Sequence, residues 1–149
     1  MLDAGDDAPE VTAPDHDGEP VTLAFAEPTV LYFYPRDDTP GCTVEARGFD
    51  EELSAYHDAG VAVYGVSTDA VDSHAAFRTK HDLAIDLLAD PDGDVAAAFG
   101  VDTDGGTADR VTFVLDDGVV RRVYHGVDPE DHARDVLRDV LDAGIATDR

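Results

Sequence analysis

Short apolar runs separated by polar turns recur along the chain, and their spacing predicts alternating strands and helices. Residues 29–34 form a continuous β-branched and aromatic run, which indicates a buried central strand. Residues 21–25 alternate like a strand, whereas residues 1–20 are turn-rich and contain three prolines. Further strands are predicted at 61–66 and 85–88, and a hairpin at 111–115 and 119–124.

Four segments have the apolar periodicity of helices. They are 40 to about 59, 71–82, 94–99 and about 129–143. Gly60 suits the position that ends the first helix. One face of that helix is apolar and begins with a cysteine; its members are Cys42, Ala46, Phe49, Leu53 and Tyr56. The sulfur is therefore predicted to lie in a pocket at the head of a buried face.

The order of these elements indicates the fold class. Strand, helix and strand followed by a hairpin and a helix is the order of a thioredoxin-like α/β fold, with a central mixed sheet and helices on both faces. A chain of 149 residues is expected to form one domain, residues 1–149. In open α/β sheets, binding and catalytic sites lie at the carboxyl ends of the strands. Cys42 is predicted to lie at the carboxyl end of the central strand.

Cys42 is the only cysteine in the chain, and it falls where the first helix begins. Thr39 is a good N-cap and Pro40 suits the first helical position. We expect Thr39 Oγ1 to accept from the Cys42 backbone N–H, which leaves the hydroxyl proton for the sulfur or a substrate oxygen. Unpaired N–H groups and the helix dipole favour a thiolate there, so this position suits a reactive sulfur. The alternative is a buried structural cysteine.

The run Pro35-x-x-x-Thr39-x-x-Cys42 resembles the active-site signature of peroxiredoxins, the thiol peroxidases. The longer run from Tyr32 to Ala46 is similar to the bacterioferritin-comigratory, or Q-type, branch. Further segments resemble the same family in the same order: Gly5–Pro9, Gly18 with Val21-x-Leu23, Val63–Ser67, Asp90-Pro91 with Ala98–Val101, and Arg110–Asp116.

The resemblance implies a role for each of five residues. Cys42 is the nucleophile that attacks the peroxide, and Thr39 hydrogen-bonds the incoming substrate. Arg110 lowers the thiol pKa and polarises the peroxide, Pro35 shields the sulfur from water, and Glu45 orients the arginine. From the residues alone, Arg110 has a second interpretation, an ion pair with Asp109 or another of the many acids.

The sequence departs from the Q-type pattern at one position. That branch often has a resolving cysteine five residues after the first, where this chain has Arg47. With a single thiol, the chain is predicted to be a one-cysteine peroxidase that forms a sulfenic acid on hydrogen peroxide or organic hydroperoxides. A small thiol or a thioredoxin-like protein would then recycle it. Excess peroxide is expected to over-oxidise the sulfur to sulfinic acid.

Composition adds an unusual charge. The chain has 34 Asp plus Glu against 10 Lys plus Arg, for a formal net charge of −24. Such a chain repels itself at low salt, which is typical of halophiles, and we predict a cytoplasmic protein of a high-salt organism. Binding to nucleic acid or an anionic membrane is not expected. A monomer or weak homodimer is expected.

Other kinds of site find little support. The six histidines lack metal-ligand spacing, and no phosphate loop or dinucleotide fingerprint is present, so no metal and no bound cofactor are predicted. Two other functions use the same cysteine. One is a non-catalytic peroxide sensor that signals through Cys42 oxidation. The other is acyl transfer, which needs a histidine base; His57 lies at the far end of the cysteine's helix.

Overall fold

A five-stranded sheet forms the centre of the protein in the computed structural model, which describes residues 1–125 and 128–145. The strands of the protein are β1 Val11–Pro14, β2 Pro20–Leu23, β3 Thr29–Phe33, β4 Ala62–Ser67, β5 Asp86–Ala89, β6 Val111–Asp116 and β7 Val119–His125. The order in the central sheet is β5-β4-β3-β6-β7; β3, β4 and β5 are parallel, β6 is antiparallel to β3, and β7 is antiparallel to β6. The predicted mixed sheet is confirmed.

The helices occupy the segments that the periodicity predicted. They are α1 Pro40–Asp58, α2 Val71–His81, α3 Asp94–Phe99 and α4 His132–Asp142. α1 begins at the predicted residue, and Gly60, just beyond its end, has the positive φ of 76° expected of a terminating glycine. α4 begins three residues later than predicted, at His132 rather than at about 129.

Alternate side chains of β3 enter two separate cores. Val30 and Tyr32 pack in the core that also contains Cys42 and Phe49 of α1 and the apolar face of α4. Leu31 and Phe33 enter the opposite core, which holds α3 and side chains of β1. All five residues of β3 are buried, because helices cover both faces of the sheet as predicted.

The N-terminal region differs from the prediction. Within the turn-rich residues 1–20, Val11–Pro14 forms β1, which pairs antiparallel with β2. Val11 and Ala13 are buried, so a two-residue alternation between prolines was enough to form a short strand. β2 ends at Leu23 rather than at 25, because Phe25 adopts a left-handed φ of 59° that no strand accommodates.

The predicted domain spans 1–149, and its residues 126–127 and 146–149 lie outside the described residues. None of the described helices combines the length and apolar content that crossing a lipid bilayer requires.

Candidate active site

Cys42 lies in the first turn of α1, beyond the carboxyl end of the central strand. A six-residue connection, 34–39, joins β3 to the helix. Thr39 has extended backbone angles of −94° and 155°, and Pro40 is the first helical residue. The cysteine side chain is almost wholly buried, with 1% of its surface exposed. The prediction that the sulfur lies at the head of the buried face, away from open water, is therefore confirmed.

The Thr39 side chain does not make the predicted capping bond. Its hydroxyl donates to the Arg36 carbonyl, with an O···O distance of 3.1 Å, and α1 has no side-chain cap. The expectation that the hydroxyl proton stays available for the sulfur or substrate is therefore wrong. The loop turns the Arg36 carbonyl toward the hydroxyl, and a carbonyl oxygen can only accept. Thr39 Oγ1 retains lone pairs and offers an acceptor instead.

Arg110 brings a guanidinium group onto the sulfur. Its Nη2 donates to Cys42 Sγ at 3.3 Å, and its Nη1 donates to Glu45 Oε1 at 2.6 Å. Among the described residues, Arg110 is the only side chain that hydrogen-bonds to Sγ. Its ion-pair partner is Glu45; Asp109, the alternative considered from the sequence, is exposed.

Strand pairing explains how residues so distant in sequence meet. β6 lies antiparallel to β3, with Val111 opposite Phe33. Arg110 precedes Val111 and so lies at the end of β3 from which the chain leads into α1. Cys42 and Glu45 are three residues apart on that helix and share a face, which lets one guanidinium contact both.

Gly41 leaves room for the arginine. A Cβ atom at this position would lie 3.2 Å from Arg110 Nη2. The guanidinium therefore passes close over the first turn of α1, where a side chain would push it away from the sulfur.

Glu45 is a fully buried carboxyl group with one paired oxygen. Within the described residues its Oε2 has no hydrogen-bond partner. Burial raises the pKa of Glu45 from 4.5 to about 7, although the Arg110 charge acts to lower it. Burial acts to lower the pKa of Arg110, but the negative charges of Glu45 and Cys42 outweigh it and raise that pKa. Arg110 therefore stays charged, while Glu45 changes its charge near neutral pH.

Pro35 opens the connection that carries Thr39. It is half-buried and follows Tyr34 directly. The structure thus places Pro35 and Thr39 in one loop, and it brings Arg110 into contact with both Cys42 and Glu45. The chemical role of each of the five stays a prediction.

Comparison with known proteins identifies the family of this chain. The sequence profile of the AhpC/TSA family matches residues 4–123. The chain is 38% identical over 146 residues to the putative peroxiredoxin bcp of Coxiella burnetii, covering 91% of this chain and 97% of that protein. It is 40% identical over 140 residues to the chloroplastic peroxiredoxin Q of Sedum lineare, covering 90% and 75%. This chain belongs to the AhpC/TSA family and is a peroxiredoxin.

Solved structures agree with this assignment. The peroxidoxin BcpB of Mycobacterium tuberculosis matches with a TM-score of 0.88 and 33% identity, covering 95% of this chain and 98% of that one. The bacterioferritin comigratory protein of Xanthomonas campestris matches with a TM-score of 0.82 and 32% identity, covering 89% and 91%. The predicted thioredoxin-like fold and the resemblance to the bacterioferritin-comigratory branch are confirmed, and this peroxiredoxin has a single cysteine.

A buried polar cluster that no sequence motif predicted lies behind the active-site loop, and we call it the Asp37 cluster. Asp37 Oδ1 accepts from the Tyr34 hydroxyl at 2.6 Å. Its Oδ2 lies 2.7 Å from both Ser73 Oγ and His74 Nδ1. His74 Nε2 lies 2.9 Å from the Leu88 carbonyl and must donate to it, so Asp37 and Nδ1 share one proton. The cluster fixes the loop against α2.

A second contact ties the same loop to the end of α2. Asp38, at a left-handed φ of 60°, pairs with Lys80 at 2.6 Å and His81 at 2.8 Å. No sequence motif predicted either contact, because the partners are more than 30 residues away and acids are common throughout this chain. Only the strained φ of Asp38 has a local signal, since Asp tolerates that region better than most residues.

Proposed function

We propose that this peroxiredoxin reduces hydrogen peroxide and organic hydroperoxides through Cys42, which an external thiol then recycles. The observation that supports it most directly is the Arg110 guanidinium, which Glu45 holds on one side and which contacts Sγ on the other. A fixed cation beside the sulfur stabilises a thiolate, the nucleophilic form. The bacterioferritin comigratory protein of Xanthomonas campestris is described as having alkyl peroxide reduction activity, which supports organic hydroperoxides as substrates.

The proposed chemical step transfers one oxygen to sulfur. The Cys42 thiolate attacks the terminal peroxide oxygen, an S–O bond forms and the O–O bond breaks. The departing oxygen leaves with the electron pair and takes up a proton, giving water or an alcohol, while the cysteine becomes a sulfenic acid. Arg110 is placed to stabilise the negative charge that develops on the departing oxygen.

Thr39 and Pro35 complete the proposed pocket. Because the Thr39 hydroxyl proton is donated to Arg36, its oxygen is free to accept a peroxide O–H. Arg110 donates and Thr39 accepts, which matches a molecule that has both a proton and lone pairs. Pro35 adds an apolar wall that limits water at the sulfur.

Recycling consumes two external thiols. The first attacks the sulfenic acid, releasing water and forming a mixed disulfide. The second attacks that disulfide, which restores the Cys42 thiol and releases the oxidised reductant. The reductant is a small thiol or a thioredoxin-like protein. With no second cysteine in the chain, no internal disulfide competes with either step.

The decisive experiment measures peroxide consumption in molar salt with excess small thiol, for wild type and Cys42→Ser. Repeated turnover that the Cys42→Ser variant lacks is expected. Consumption of one equivalent followed by arrest would contradict small-thiol recycling and favour the requirement for a protein reductant or the sensor function. No consumption by wild type would overturn the peroxidase proposal. Thr43→Ser, a matched hydroxyl change next to the cysteine, serves as a control for handling of the variant proteins.

Intact mass after graded peroxide tests the sulfenic acid. One added oxygen is expected at stoichiometric peroxide, trappable by a sulfenic-acid reagent, and a second oxygen at high excess without thiol. Resistance to the second oxygen at high excess would contradict the proposed over-oxidation.

We further propose that the protein works in the cytoplasm of a salt-rich cell, as a monomer or weak homodimer. The net charge of −24 supports this, because molar salt shortens the screening length to about 3 Å and suppresses self-repulsion. A midpoint of thermal unfolding that rises by several degrees from 0.1 M to 2 M KCl is expected. A midpoint independent of salt would contradict the salt-rich setting.

A further inference from the structure

One peptide group in the active-site loop is hydrogen-bonded on both sides. Its carbonyl, from Arg36, accepts from Thr39 Oγ1 at 3.1 Å. Its N–H, from Asp37, donates to Asp69 Oδ2 at 2.6 Å. A peptide unit is planar and trans, so its N–H and C=O point in opposite directions and turn together. The orientation that Asp69 imposes on the N–H therefore fixes the direction in which the carbonyl faces Thr39.

Asp69 is itself held by the end of a central strand. Ser67 Oγ, in the last residue of β4, donates to Asp69 Oδ2 at 2.8 Å. The Asp69 backbone N–H in turn donates to Ser67 Oγ at 3.2 Å. Ser67 is buried, with 1% of its surface exposed, so the carboxylate is anchored to the buried end of a central strand.

We propose that Asp69 is a positioning residue for the peroxide, and that it acts through the Arg36–Asp37 peptide on the Thr39 hydroxyl. By holding this peptide, Asp69 keeps the Thr39 proton directed into the loop and the Oγ1 lone pairs free for the substrate O–H. The inference rests on the proposed peroxide step at Cys42. It adds to that step a residue that does not touch the sulfur, the arginine or the substrate.

The proposal separates two properties of the sulfur. Arg110, which contacts Sγ, is held by Glu45 and has no hydrogen bond to Asp69. Loss of Asp69 should therefore leave the intrinsic reactivity of the thiolate intact. It should slow only reactions that need a hydrogen-bond acceptor at Thr39. The reaction with peroxide needs this acceptor, because the peroxide O–H donates to Thr39 Oγ1. Alkylation of the sulfur by iodoacetamide does not need it.

The test is a double-mutant cycle with two reagents. Rates of Cys42 with hydrogen peroxide and with iodoacetamide are measured for Asp69→Ala, Thr39→Val and the double variant. Asp69→Ala should slow the peroxide reaction about tenfold, the usual effect of one lost hydrogen bond, and change alkylation less than twofold. The double variant should be no slower than Thr39→Val alone, because both changes remove the same acceptor.

Three results would overturn the proposal. The first is a double variant in which the losses of peroxide rate from the two single variants add. The second is an alkylation rate that falls in parallel with the peroxide rate, which would mean that Asp69 only holds the loop together. The third is an Asp69→Asn variant that reacts with peroxide as slowly as Asp69→Ala, which would assign the effect to the charge of Asp69. The proposal expects Asp69→Asn to keep most of the peroxide rate, because its amide oxygen still accepts from the Asp37 N–H.

Two further variants serve as controls for nonspecific effects of substitution and for misfolding. Asp72→Ala removes an exposed acid on the first turn of α2 and should match wild type with both reagents. If Asp69→Ala does not fold, Ser67→Ala releases the same carboxylate and should give a smaller loss in the same direction. Failure of the underlying peroxidase proposal is recognised separately, because wild type itself would then form no sulfenic acid.

Discussion

Arg110 Nη2 lies 3.3 Å from Cys42 Sγ although 68 positions separate the two residues. Neither residue reaches the other through local structure. The antiparallel register of β3 and β6 places the start of β6 beside the start of α1, and Gly41 leaves the space through which the guanidinium approaches. The same arginine also pairs with the buried Glu45, so one side chain joins the nucleophile to a second acidic group.

The first prediction concerns this arginine. Arg110→Gln should lower the second-order rate constant for hydrogen peroxide by roughly 100-fold or more, because a preorganised donor at the developing charge is lost. Arg110→Lys should recover only part of it, since one ammonium cannot present the planar fork that reaches both Cys42 and Glu45. Stopped-flow peroxide kinetics measures both variants. Arg121→Gln, at an exposed position of β7, is the matched control, and equal losses in all three variants would contradict the assignment.

Two glycines of α1 should respond oppositely to alanine. A Cβ at Gly41 would lie 3.2 Å from Arg110 Nη2 and should displace the guanidinium, slowing the peroxide reaction several-fold. A Cβ at Gly48 would meet Ala133 Cβ at an ordinary 3.7 Å, so Gly48→Ala should raise the free energy of unfolding by about 1 kcal/mol.

Peroxide kinetics and denaturant unfolding of Gly41→Ala and Gly48→Ala test this pair. A Gly41→Ala variant with the wild-type peroxide rate would mean that the arginine adjusts freely. A destabilised Gly48→Ala variant would mean that the packing of α1 on α4 is tighter than the contact distance indicates.

Glu45 should make stability fall as pH rises toward neutrality. Its pKa is about 7 in the folded protein against an ordinary 4.5, so the folded state favours the protonated form. The resulting contribution, about 3 kcal/mol, is fully present below pH 4.5 and is lost as pH rises through 7. The free energy of unfolding of wild type and of Glu45→Gln is measured by denaturant unfolding at pH 4.5 and pH 8. The difference between the two proteins isolates the contribution of Glu45, because most other titrating groups are common to both. A difference that stays constant across this range would contradict the prediction.

His132 should act in the opposite sense at lower pH. Burial lowers its pKa from 6.5 to about 4, with the Arg110 charge acting in the same direction and Asp135 against it. The neutral ring bonds to Thr112 Oγ1 at 2.7 Å. About 3 kcal/mol of stability is therefore present above pH 6.5 and is lost as pH falls through 4.

The His132→Gln variant, which keeps a hydrogen-bonding group, tests the assignment. Wild type should lose more stability than His132→Gln between pH 7 and pH 4. Parallel losses in urea unfolding would show that another group is responsible.

Removal of His74 should destabilise the fold strongly. His74 is fully buried and hydrogen-bonds to Asp37 Oδ2, so His74→Ala removes one of the three hydrogen-bond partners of a buried carboxyl group and leaves the Leu88 carbonyl without its side-chain partner. A loss of roughly 3–5 kcal/mol in the free energy of unfolding is expected from such a broken pair. His57→Ala, at an exposed position of α1, should change it by less than about 0.5 kcal/mol. Similar small effects in both variants would contradict the importance of the Asp37 cluster.

The sequence by itself determined the features that depend on neighbouring residues. Periodicity located β3 and the four helices, and Thr39, Pro40 and Gly60 marked where α1 begins and ends. These features follow from backbone sterics and side-chain spacing over a few positions. Counting alone established that the chain has one thiol.

The tertiary structure decided which distant groups meet. The register of β3 and β6 places Arg110 beside the start of α1, where its ion-pair partner is Glu45 rather than the neighbouring Asp109. The loop conformation directs the Thr39 hydroxyl toward the Arg36 carbonyl rather than toward the helix. Contacts across more than 30 residues selected Asp37 and Asp69 among 34 acids that look alike in sequence. Local propensity cannot predict these pairings, because each one depends on how the sheet and its helices pack and on which side chains that packing buries.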